Sequence, residues 1–169
     1  MRIAKVPGLQ IREARPDDCA LILTLIRELA EYEKLADEVT ATEEAIRKTV
    51  FTEPGRAEVW IAELDGEPAG FAIFFHNFSS FLGRPGLYLE DLFVRPELRG
   101  RGIGKALLSR LARLAVERGC GRMEWAVLDW NEPAIRFYER LGAVGMKEWT
   151  VYRLTGERLR KLGGAGELD

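Results

Sequence analysis

Histidine and cysteine are nearly missing from this chain. His76 is the only histidine, and Cys19 and Cys120 are the only cysteines. The two thiols show no metal-like or redox-like spacing, so no metal site and no disulfide framework is expected, and a reducing, cytoplasmic location fits. Long apolar runs are missing too. No stretch approaches the roughly 18 residues of a membrane span, and Met1 to Lys5 lead into no apolar segment, so neither a span nor a signal peptide is expected. Nor is one sign of charge in excess. The formal net charge is −2, which argues against general nucleic-acid binding. No internal repeat and no linker-like stretch divides the sequence.

What is present suits one globular domain. At 169 residues and 47% hydrophobic, the chain can bury roughly 70% of its unfolded surface. A single domain is expected over residues 1–169, with its core in residues 10–162 and a frayed tail over 163–169. The charge is unevenly spread. Residues 95–118 carry Arg95, Arg99, Arg101, Lys105, Arg110, Arg113 and Arg118 against Glu97 and Glu117, a net +5, which leaves −7 for the rest. A basic segment in an acidic body suits an anionic cofactor and a cationic substrate. A solvated helix face accounts for Arg110, Arg113 and Arg118 as well.

The basic segment follows a strand. From Leu87 to Val94 the residues are apolar on both sides: Leu87, Leu89, Asp91 and Phe93 alternate with Tyr88, Glu90, Leu92 and Val94. Such a strand is expected to be buried on both faces. Pro96 ends it, Gly100, Gly102 and Gly104 follow, and a helix is expected from Ala106 to Val116. Glycines let backbone N–H groups converge, and a helix start adds partial positive charge, so this is a candidate anion site. It is not a P-loop, since Ala106 follows Lys105 where a hydroxyl residue is needed. It is not a dinucleotide fingerprint, since Lys105 stands where a third glycine is needed. The residues alone leave an anion loop or a tight strand-to-helix turn.

Elsewhere the pattern alternates strands and helices. A short strand at Gln10–Glu13 precedes a helix that starts near Pro16 and runs to about Glu33 on the stripe Leu21, Ile22, Leu25, Ile26, Leu29. Thr40 to Glu43 read as a capping box for a helix over 41–50. Strands at Glu58–Leu64 and Gly70–His76 flank the turn signal Asp65-Gly66, and a loop is expected from Asn77 to Gly86. Further strands are expected at Met123–Leu128 and Trp149–Leu154. Between them a helix starts at Asn131-Glu132-Pro133, and Thr155 opens a short last one. The order gives an α/β fold around one sheet.

Three stretches together resemble a known family. Arg99-x-x-Gly102-x-Gly104 is similar to the pyrophosphate loop of the GCN5-related N-acetyltransferases (GNAT). Tyr88 to Val94 and Asp129-Trp-Asn131-Glu-Pro-x-x-x-Phe137-Tyr138 look like the spermidine/spermine (diamine) and thialysine branch of that superfamily, as does the run from Asp18 to Glu33. The resemblance implies a mixed, mostly antiparallel central sheet flanked by helices and splayed between the strands at 87–94 and 122–128. It implies acetyl transfer from acetyl-CoA to a small primary amine by direct attack in a ternary complex, usually by a homodimer. Neither nucleic acid nor membrane is an expected partner. An acetyl-CoA sensor without turnover and a protein or peptide N-acetyltransferase are the alternatives.

The chemistry sets requirements of its own. An amine with a pKa near 10.4 is almost wholly protonated at neutral pH, so it needs a proton acceptor as well as an anion to bind it. The thioester carbonyl needs a donor, and the leaving thiolate needs an acid. The resemblance fills these roles: Glu90 as base through water and Tyr138 as acid. It places Leu92, Phe93 and Val94 along the cofactor's arm, and Arg99, Gly100, Arg101, Gly102, Ile103, Gly104 and Lys105 at its pyrophosphate. Asn131, Pro133, Ala134 and Tyr138 complete the cofactor side, while Tyr32, Glu33, Glu90, Glu124, Trp125 and Ala126 form the amine side. His76 matches no position of the family motif and is read as structural. The spermidine/spermine enzymes carry an acidic residue in the loop before the central strand; here Phe78-Ser-Ser-Phe81 stands there, closer to the thialysine branch.

Overall fold

Asp65 and Gly66, both at positive φ (54° and 86°), turn the chain between two strands, β2 (Glu58–Leu64) and β3 (Glu67–Ser79). The computed structural model describes residues 5–164. Around this hairpin the sheet grows to five strands in the order β1–β2–β3–β4–β5, with β1 at Leu9–Glu13, β4 at Arg84–Val94 and β5 at Met123–Trp125. All neighbours are antiparallel except β4 and β5, which run parallel. The mixed, mostly antiparallel sheet is the expected one. Its ladder between β4 and β5 covers only Leu87–Leu89 against Met123–Trp125, and β4 runs on to Val94 paired with β3 only. The splay between these two strands is thus present, but β5 is shorter than the expected 123–128.

Helices α1 (Cys19–Tyr32) and α2 (Glu43–Val50) cover one face. Their Cys19, Ile22, Leu25, Leu29 and Ile46 pack with Val59, Phe71 and Phe93 of the sheet. Helix α3 (Ile103–Glu117) serves the other face, where Trp60 and Phe74 stack edge to face at 5.1 Å and Arg110 lies over Trp60. Gly119, at φ 69°, ends α3 as expected, with Gly119 N–H on the Val116 carbonyl and Cys120 N–H on Ala115.

Several expectations fail for tertiary reasons. Thr42, not Thr40, caps α2: its hydroxyl accepts from the Ala45 N–H at 3.1 Å, so the capping box is absent. The expected loop over Asn77–Gly86 is strand on both sides, because β3 and β4 stay paired out to Ser79 and Arg84. Ser79 closes the remaining turn by accepting from the Leu82 N–H at 3.3 Å. Helix α3 begins at Ile103, so Gly104 and Lys105 lie in its first turn, and only Gly100 and Gly102 of the three loop glycines take positive φ.

The chain divides at Leu128/Asp129 into two compact units. The second holds α4 (Glu132–Arg140) and α5 (Gly156–Leu162). Asn131 caps α4 by accepting from the Ala134 N–H, with Pro133 in the first turn, and Gly142 at φ 89° ends it. The strand expected at Trp149–Leu154 does not form; that segment has no ladder partner in the described chain. Of the expected frayed tail, residues 165–169 lie outside the described residues.

Candidate active site

Strand β4 does not alternate regularly. Ile73 of β3 faces Asp91, while the next residue, Phe74, faces Leu89, so Glu90 is an extra, unopposed residue: a β-bulge. The bulge overturns the expected face assignment. Leu87 and Leu89 lie with His76 and Phe74 on the α3 side, whereas Asp91 and Phe93 lie with Ile73 and Phe71 on the α1 side. Glu90 itself is exposed, and among the described residues neither Glu90 nor Asp91 makes an ion pair.

Three carboxylates therefore converge. Burial pushes the Asp91 carboxyl up to about 7, helped by the charges of Glu90 and of Glu33 at the end of α1. Burial also raises Glu33. The Tyr88 phenol is raised by burial and then by Glu90 and Glu124. Glu124 sits opposite Tyr88 in the parallel ladder and holds Arg122 at 2.7 Å. Trp125 ends β5 opposite Leu89, and Ala126 follows it in irregular chain. Glu33, Asp91, Glu90 and Glu124 thus act on one another or on Tyr88 as one acidic region of the first unit, while Tyr32, next to Glu33, lies under Arg99. Burial of Asp91 agrees with a strand buried on both faces; what alternation hid is that it lies on the side away from Leu87 and Leu89.

The other end of β4 leads into a basic cavity. Gly100, Arg101, Gly102 and Lys105 line a volume of ≈ 330 Å³ together with Lys5, Val6 and Pro7. Gly102 holds φ 87° at the N-cap of α3, and a side chain there would also press on Val6, 3.3 Å away. A glycine turn at a helix start, ringed by three cations, fits the phosphates of a nucleotide cofactor. Ile103 is buried under the turn and holds the helix start rather than the cavity. Lys5 was not legible as a site residue; it carries no motif and arrives through the β1 end of the sheet. Arg99 is directed elsewhere, with its guanidinium 4.1 Å from the centre of the Tyr32 ring. Leu92, Phe93 and Val94 form the last stretch of β4 between the acidic region and the cavity.

Asn131, Pro133, Ala134 and Tyr138 belong to the second unit. There the Phe137 and Tyr138 rings lie 5.4 Å apart, and the Tyr138 carbonyl accepts from Ala143 at the end of α4. His76 lies beside an ion pair away from the acidic region: Glu58 takes Arg118 in a bidentate pair, and His76 Nδ1 lies 4.0 Å from Glu58. Among the described residues no group of three metal-ligating side chains is assembled, and no helix is long and apolar enough to cross a membrane.

Known proteins share this architecture and sequence. The model of the Acetyltransferase (GNAT) family matches residues 22–143. A thialysine N-epsilon-acetyltransferase from Bos taurus is 42% identical over 167 residues, covering 92% of this chain and 98% of its own. An L-ornithine N5-acetyltransferase from Arabidopsis thaliana is 35% identical, covering 90% of this chain and 87% of its own. Among solved structures, an integron cassette protein from the mobile metagenome of V. cholerae superposes with a TM-score of 0.78 at 29% identity, covering 92% of this chain and 98% of that one. With its fold, its glycine turn and relatives along nearly its whole length, this chain belongs to the acetyltransferase (GNAT) family.

Proposed function

We propose that this protein moves the acetyl group of acetyl-CoA onto the primary amine of a small cationic molecule of the thialysine, ornithine or diamine kind. The observation that carries the reading is the layout of β4. Its bulge sets Glu90 beside Asp91 and Glu33, and its far end opens into the basic cavity at Gly100–Lys105. One strand thus leads from carboxylates suited to an ammonium to cations suited to phosphates. The relatives' names, thialysine and L-ornithine acetyltransferases, support the same substrate class.

Arg101, Lys105 and Lys5 neutralise the phosphates, and the amides around Gly100 and Gly102 donate to them. The backbone of Leu92–Val94, left without a β5 partner, is available to pair with the cofactor's arm and to donate to the carbonyl oxygen. When bound, acetyl-CoA supplies an activated acyl group. Glu90 accepts the proton of the amine through water, and Tyr138 gives a proton to the departing thiolate; a phenol of pKa about 10 suits that step. Glu33 and Glu124 hold the cationic end of the substrate. We further propose that the protein works as a cytoplasmic homodimer, a reading that rests on the family resemblance and the two free thiols. Thiol release with a panel of amines, peptides included, tests the activity, and sedimentation tests the assembly.

A further inference from the structure

Two arginines hold the segment after β4 against α1. Arg95 donates from Nε and Nη2 to both Glu28 carboxylate oxygens, at 2.9 and 2.8 Å, and from Nη1 to the Pro68 carbonyl. Four residues on, Arg99 donates from Nε to the Val94 carbonyl at 2.9 Å and lays its guanidinium over Tyr32, with the Phe93 ring centre 5.7 Å away. Glu28 and Tyr32 are likewise four residues apart, so they stand on one face of α1, one turn from each other. The two pairs form a two-point clamp. After Arg99 comes at once the Gly100–Gly102 turn that lines the basic cavity.

The clamped end of α1 is a backbone-bonded cap with a left-handed residue in it. Glu33, Lys34 and Leu35 close the helix on the carbonyls of Leu29, Glu31 and Ala30, and Lys34 does so at φ 61°, a region that non-glycine residues seldom occupy. Glu33, next to Tyr32, is one of the carboxylates acting on Asp91. Arg99 thus touches the α1 end at Tyr32 on one side and abuts the glycine turn on the other.

We propose that Arg99 is a positioning residue that couples the two ends of the site: phosphate binding at the glycine turn stiffens the Tyr32–Glu33 end of α1 through the Arg99–Tyr32 stack. The inference rests on reading the cavity as the cofactor's phosphate site. By linkage, an amine that orders the α1 end strengthens coenzyme A binding by the same factor.

Amide hydrogen exchange on the full chain, with and without saturating coenzyme A, tests this, with binding followed separately by calorimetry. In the wild type, coenzyme A should slow exchange at Glu33, Lys34 and Leu35 by at least about fivefold, the lower end of common coupling factors. Arg99→Met, at an exposed position, should still bind coenzyme A but lose that slowing. Tyr32→Leu should lose it too, while Tyr32→Phe, which keeps the ring, should retain it. Wild type that binds coenzyme A without change at these amides overturns the proposal, as does an Arg99→Met protein that keeps the change. Loss of coenzyme A binding in folded Arg99→Met makes Arg99 a phosphate ligand and overturns it as well. Wild type that binds no coenzyme A overturns instead the reading of the cavity.

Discussion

Gly102→Val places a branched side chain where the chain can hardly accept one. Gly102 sits at φ 87°, and its new Cβ would lie 3.3 Å from a Val6 methyl. Left-handed backbone at a β-branched residue costs about 1–3 kcal/mol. For a chain of this length each kcal/mol lowers the melting temperature by about 2–4 °C, so a drop of about 2–12 °C is expected if the turn keeps its shape. If the turn relaxes instead, the amides of the Gly100–Gly102 turn leave the cavity. Loss of one charge-assisted hydrogen bond then costs about 1.5–3 kcal/mol, or roughly tenfold to a hundredfold in coenzyme A affinity. Gly83→Val is the control. It sits at φ 61° in the β3–β4 turn, with nothing within 4 Å of a new Cβ, so it carries the same backbone strain without the cavity. Melting curves and titration calorimetry on both variants separate stability from binding. Unchanged coenzyme A affinity in a Gly102→Val protein whose melting temperature has not fallen would refute the assignment of the turn.

Other perturbations bear on the chemistry. Tyr138→Phe should lower the turnover number by about 10²–10⁴ with coenzyme A affinity little changed; a loss under threefold with the same rate-limiting step would leave Tyr138 a packing residue. Native Asp91 keeps its proton up to about pH 7, whereas the unfolded chain releases it near pH 4. Between those values the native state holds more protons, so Asp91 makes stability fall as pH rises. Asp91→Asn should therefore gain in melting temperature relative to wild type at pH 8 and gain least at pH 4; a uniform shift would refute the titration. Lys5→Ala should weaken coenzyme A binding by about twofold to fivefold at low salt and less at high salt, the scale of an exposed charge contact. Calorimetry at two ionic strengths checks it.

Much of this was legible in the sequence because it rests on local chemistry. Gly119, Gly142 and Asn131 stop or start helices wherever they stand, and Asp65-Gly66 turns a hairpin by its own backbone preferences. The bulge at Glu90 was not legible. Leu87 to Val94 alternate without glycine or proline, and the extra residue exists only in the register against Ile73 and Phe74. The same shift moved Asp91, whose burial was expected, to the side away from Leu87 and Leu89. The Asn77–Gly86 segment reads as loop by its serines and glycines, yet pairing propagated from the hairpin keeps it in strand. Trp149–Leu154 shows the converse: strand-forming side chains without a partner make no strand. Thr42 displaced Thr40 as a cap because both are capping residues and only the helix start decides between them.

The central claim, amine acetylation from acetyl-CoA with a preference for a small cation, is tested most directly by steady-state kinetics of thiol release. The set should include thialysine, lysine, ornithine, putrescine, spermidine, spermine and a peptide N-terminus. Ser79 spends its hydroxyl on the hairpin turn, and no carboxylate stands in residues 78–81 to hold a distant ammonium. One missing charge-assisted contact is worth about 1.5–3 kcal/mol, so spermine should trail the best small amine by roughly tenfold to a hundredfold in kcat/KM. A thialysine-like or ornithine-like amine at the head of the series is the predicted result. Spermine at its head, or acetylation of the peptide alone, would contradict the account.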